Sequence, residues 1–112
     1  MNKSIRKRLR ELADIAYERE LGNHLSKLYD EFGAWRSGKI SSSELSDRIH
    51  KFHTGRARDI YTLFSDSKPD LVVARALNMG IIAEDEVPAD VRKAIARSIE
   101  TFRMMDEIDN TG

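Results

Sequence analysis

The chain has no cysteine, which excludes disulfides, thiolate metal ligands and cysteine nucleophiles together. Proline is confined to Pro69 and Pro88, so no such breaker interrupts a helix upstream of Pro69. Neither charge is in surplus: nineteen basic and nineteen acidic residues give a formal net charge of zero. No global field therefore draws the protein to nucleic acid or to an anionic membrane, and any such binding requires a local patch. No apolar run approaches the roughly 20 residues of a membrane-spanning helix. The start MNKSIRKRLREL lacks the continuous apolar core of a secretory signal. Strand-length alternation, internal repeats and low-complexity tracts are missing too. These absences lead us to expect a cytoplasmic protein that needs no membrane and implies no cofactor.

What is present is helical patterning. A chain of 112 residues supports one domain with one modest core. Ile5, Leu9, Leu12 and Ala16 recur at helical spacing, as do Leu21, Leu25, Leu28, Phe32 and Trp35. The two stripes centre roughly 150° apart on the helical wheel, and the change of face falls beside Gly22-Asn23. Glycine costs only about 1 kcal/mol inside a helix, so propensity favours one continuous helix from about residue 3 to 36. Such a helix is roughly 50 Å long, more than a compact domain of this size needs, and its N-terminal half is expected to face a second subunit.

A second helix is predicted from about 42 to 64, with Leu45, Ile49, Phe52, Ile60 and Leu63 on one face. Pro69 starts a third, apolar around much of its circumference, that stops at Gly80 near residue 79. Pro88 starts a fourth, ending near 107, with Val91, Ile95, Ile99 and Phe102 as its buried stripe. Residues 108–112 are polar and expected to be flexible. The fold class is therefore all-α: one domain over residues 1–112, a four-helix bundle-like arrangement. Its long first helix forms an antiparallel hairpin with the second, and two shorter helices follow.

Several constellations bear on function. Within WRSGKISSSEL, Gly38, Ile40 and Glu44 resemble the sixth, eighth and twelfth positions of an EF-hand loop. Gly33, Trp35 and Ser37 would then occupy ligand positions, and glycine and tryptophan side chains offer no oxygen there. No calcium is expected across Gly33 to Glu44. A turn at Gly38 and a helix capped by Ser41, with Glu44 completing a capping box, account for the same residues.

The segment DRIHKFHTGRARD holds two of the three histidines. Asp47, His50 and His53 are spaced three apart, so successive pairs share a side of a helix. Reversing the chain at Ser37 brings His24 near residues 53 to 57. His24, Asp47, His50, His53 and Asp59 are therefore the metal or ligand candidates. They suggest a single zinc or a carboxylate-bridged di-metal centre, against a plainer reading as polar surface residues. Arg56 falls at the middle of the apolar face between Phe52 and Ile60. Its guanidinium there must be paired, reach an edge, or face a cavity or interface. With His53 and Asp59 it is a candidate for an anion-binding or catalytic pocket.

Arg48 and His53 are separated by four residues. This spacing is similar to the short motif of HEPN-domain ribonucleases, small all-α proteins found in toxin–antitoxin and defence pairs. The resemblance implies an RNA-acting protein, or a partner of one, using Arg48 and His53 across a dimer interface. Ile49 departs from the polar residue usual after the arginine. Arg48 and His53 lie about 140° apart on an unbroken helix, so they do not converge within one subunit.

At the N-terminus, Lys3, Arg6, Lys7, Arg8 and Arg10 form a basic patch. Cations there oppose the helix dipole by a few tenths of a kcal/mol each, so they suggest phosphates or a partner's acidic segment Glu84-Asp85-Glu86, beside the plain reading of a solvated helix end. Taken together, the leading expectation is a non-enzymatic, homodimeric protein–protein interaction module. Its surfaces are the N-terminal stripe and the face around Arg56. The alternatives are the RNA-acting reading, with Arg48, His53 and Arg56 as catalytic candidates, and a histidine-based metal or anion-binding bundle.

Overall fold

The computed structural model describes residues 1–111, with side chains described as far as Asp109. Among the described residues every regular element is helical. Helix α1 runs unbroken from Lys3 to Arg36. Asn2 caps it, its side-chain oxygen accepting the Ile5 N–H at 2.8 Å. It passes straight through Gly22-Asn23 and ends where Gly38 takes φ +80°. There the Lys39 N–H reaches back to the Ala34 carbonyl at 2.8 Å, the bond of a glycine-terminated helix end.

Ser41 caps α2 (Ser42–Lys51), accepting the Glu44 N–H at 3.0 Å. The reciprocal bond from the Glu44 carboxylate is not formed, so only half of the expected capping box is present. The helix does not continue uniformly to 64. A π-helical turn occupies Phe52–Arg56, followed by α3 (Ala57–Asp66). Helix α4 spans Pro69–Met79 and closes at Gly80, φ +75°, as its flanking proline and glycine predict.

A 3₁₀ turn at Glu84–Glu86 leads to α5 (Ala89–Ala94) and α6 (Ala96–Thr111). The single fourth helix expected from Pro88 is thus broken at Ile95, where φ is −109° and ψ 14°. No proline or glycine marks that break. Ile95 is driven into the core, 2% exposed, and the bend lets α5 pack on α1 while α6 packs on α4. With no breaker after the bend, α6 continues past 107 to Thr111. Gly112, the last residue of the expected flexible tail, lies outside the described residues.

The two stripes of α1 meet different partners. Leu9, Leu12 and Ala16 are buried in one cluster with Val73, Ala76, Ile82, Val87, Val91 and Ile95. The N-terminal stripe expected to face a second subunit is therefore covered by the chain's own α4 and α5. The physical reason is that α4 to α6 fold back beside the first half of α1 rather than extending the hairpin. On another side, Tyr17 meets Phe64 of α3 edge-on, ring centres 5.4 Å apart. Beyond Leu21, α2 and the π turn accompany α1, and Leu45 is the buried residue of α2. The hairpin's far half thus projects as an arm. The radius of gyration is 17.3 Å, against about 13 Å for a compact domain of this length.

Candidate functional site

The arm carries a groove between its two antiparallel helices. α1 contributes His24, Lys27, Leu28 and Glu31; α2 and the π turn contribute Arg48, Lys51, Phe52 and Arg56. The groove encloses about 410 Å³. Arg48 forms an ion pair with Glu31 across it, and Lys51 is held by Asp47 at 2.9 Å. The side chains of His24, Lys27 and Arg56 have no hydrogen-bond or ion-pair partner among the described residues.

The π turn explains why Arg56 is here. In an α-helix Arg56 would stack one turn above Phe52, on the apolar face. Instead the Ala57 N–H donates to the Phe52 carbonyl, five residues back, and the extra residue moves Ala57 above Phe52. Arg56 is exposed, Ala57 is half-buried, and Ile60 remains in the core at 5% exposure. The expected place of Arg56 at the centre of the apolar face is thereby corrected, and among the described residues no carboxylate pairs it.

The structure separates the other candidates. His53 lines a different depression, about 450 Å³, with Thr54, Ala57, Arg58 and Tyr61. His50 is exposed, and its carbonyl accepts the Thr54 hydroxyl at 2.9 Å. Asp59 is exposed and lines neither hollow. The hairpin does bring His24 to Arg56, but it does not bring the three histidines together. Among the described residues no group of three or more His, Asp or Glu side chains is placed to hold a metal ion. Arg48 and His53 open onto separate hollows, so they do not meet within one subunit.

In the loop that resembles an EF-hand, Gly38 makes the turn and Ser41 the cap. The Trp35 indole N–H donates to the Ser42 hydroxyl at 2.9 Å, fastening the turn. At the N-terminus Lys3, Arg6, Lys7, Arg8 and Arg10 are all exposed. Arg8 lies 3.6 Å from Glu11, and Arg6 and Arg10 border a hollow of about 220 Å³ with Lys68 and Asp70. Glu86 of the acidic segment is engaged by Arg19 of its own chain, through contacts of 2.8 and 2.6 Å. Arg19 also donates to the Ile81 carbonyl at 3.0 Å. Those Arg19 bonds, joined by the Ala83 N–H, hold the Glu86 carboxyl at about 2, well below its ordinary value.

Sequence reasoning missed the most buried charge pair. Arg75 of α4 donates both ends of its guanidinium to Glu20 of α1, each contact 2.8 Å. Glu20 is 8% exposed, and its carboxylate raises the Arg75 pKa. One signal was available. Arg75 is the lone cation inside the apolar run LVVARAL, and a charge in such a run needs a partner. No protein-family model, curated protein or solved structure matches the chain.

Proposed function

We propose that the protein is a non-enzymatic interaction module that self-associates through the projecting arm. The observation that supports this reading is the far half of the second α1 stripe. Leu25, Tyr29 and Phe32 follow one another at i, i+4 and i+7 and are 46%, 77% and 39% exposed. With Leu28 they border an apolar hollow of about 340 Å³. Apolar side chains at this spacing form a ridge that seats in the grooves of a facing helix. The occupant is a second copy of the chain. Zero net charge lets two copies approach without long-range repulsion, and the stripe carries no charge of its own.

Sedimentation equilibrium at micromolar concentration tests the proposal. The wild-type chain is expected to show dimers, and the double variant Leu25→Asp, Phe32→Asp to sediment as a monomer with unchanged helicity. A wild-type chain that is strictly monomeric overturns it. In the RNA-acting alternative, dimer symmetry must unite Arg48 with His53. No observation beyond their spacing favours that reading.

A further inference from the structure

The groove beside the apolar stripe has a different chemistry from the stripe itself. Four Lys and Arg side chains border it against one carboxylate, Glu31. Counting the Arg48–Glu31 and Lys51–Asp47 pairs as neutral still leaves Lys27 and Arg56 uncompensated. Two of the chain's unpaired cations, one from each helix of the hairpin, thus border a single hollow.

The backbone supplies an independent observation. π turns are rare; they occur mostly as single-turn interruptions of α-helices, and frequently at functional sites. This one moves the Arg56 guanidinium from the apolar face to the groove while Ile60 stays in the core. Gly55 lies within the turn, where it lowers helix stability without adding a contact. A structural helix without the extra residue would keep Ile60 on the core and need no arginine at the groove.

We propose that this groove binds a small phosphate-bearing molecule between Lys27 and Arg56. A phosphate monoester carries nearly two negative charges at neutral pH, matching one cation from each helix, whereas a carboxylate carries one. Its oxygens accept from the Arg56 guanidinium in the geometry that arginine favours, while Lys27 supplies a point charge and His24 a further donor. Leu28 and Phe52 form an apolar floor for the remainder of the molecule. The volume falls within the roughly 300–1,000 Å³ of small-ligand sites. Phe52, the groove's one aromatic residue, is half-buried, which disfavours a single-stranded polymer that needs open faces for base stacking.

Calorimetric titration of the full chain with inorganic pyrophosphate, with ADP and with a short single-stranded RNA, at about 0.15 M salt, tests the proposal. Saturable binding of pyrophosphate or ADP at one site per chain is expected. Equal affinities identify the free phosphoanion as sufficient; tighter ADP binding identifies an organic portion resting on Leu28 and Phe52. Arg56→Gln and Lys27→Gln are each expected to weaken binding by about tenfold or more. Arg58→Gln, on the other hollow, is expected to leave it unchanged. Because Lys27 and Arg56 are exposed, circular dichroism should show both variants folded. The proposal is overturned by the absence of saturable binding to both phosphate compounds, by equal weakening in Arg58→Gln, or by RNA binding without ADP binding.

Discussion

Ala57, and not Arg56, stands one turn above Phe52, because the Ala57 amide donates to the Phe52 carbonyl five residues earlier. That one bond links the arm's two properties. It keeps Ile60 and Phe64 in register against α1, and it moves a guanidinium from the apolar face to the groove. The molecule is organised around α1 as a spine, with its N-terminal stripe closing the core and its C-terminal stripe left largely uncovered.

This division gives the first prediction. Leu9→Ala removes a side chain that is 2% exposed, so it is expected to cost about 2–5 kcal/mol of stability. Leu25→Ala, at 46% exposure, is expected to change the stability of the monomer by less than about 1 kcal/mol. Urea denaturation at concentrations too low for association measures both.

Glu20 and Arg75 yield the second. Their side chains are only 11% and 23% exposed, so Arg75→Ala leaves a carboxylate buried without its partner and is expected to cost about 3 kcal/mol. The double replacement Glu20→Leu, Arg75→Met removes both charges and is expected to recover most of that loss. A double-mutant cycle in urea would contradict the assignment if the two effects simply added.

The third concerns acid stability. The folded Glu86 carboxyl sits at about 2, below its ordinary value of 4.5, so its depressed pKa stabilises the folded chain above the unfolded value. That contribution is lost as pH falls from about 4.5 towards 2. Wild type is therefore expected to be more stable than Glu86→Gln at neutral pH, with the gap closing through this window. A gap that persists at pH 2 would show that the Arg19–Glu86 pair is not its source.

Two glycines supply the fourth. A methyl group at Gly22 meets nothing within 4 Å, and the residue lies inside a helix, so Gly22→Ala is expected to stabilise by roughly 0.5–1 kcal/mol. Gly80 is equally open but has φ +75°, and Gly80→Ala is expected to destabilise by about 1–2 kcal/mol. Thermal melts should shift in opposite directions.

The parts of this structure that were readable from sequence are those set by local chemistry. The Ser41 cap, Pro69 at the start of α4, and Gly38 and Gly80 at helix ends each act within a few residues. The change of face along α1 was readable for the same reason. What covers each face was not, because it depends on where α4 to α6 return. The break at Ile95 has no local marker, since it arises from burial of that side chain. The π turn was hidden in another way: a wheel assumes uniform rotation, and one extra residue in the turn displaces Arg56 without altering the pattern around it. For the candidate site, the approach of His24 to Arg56 followed from the hairpin, whereas Lys27 and the Arg48–Glu31 pair needed the helices' actual rotation.

The absence of cysteine permits a direct test of the arm as the self-association surface. A spin label attached through Tyr29→Cys, on the most exposed residue of the stripe, reports the distance between copies by pulsed electron resonance. A short, well-defined distance between labels is expected in the dimer, lost when Phe32→Asp is added. Labelled chains that show only the background coupling of isolated molecules, under conditions where sedimentation detects a dimer, would contradict it.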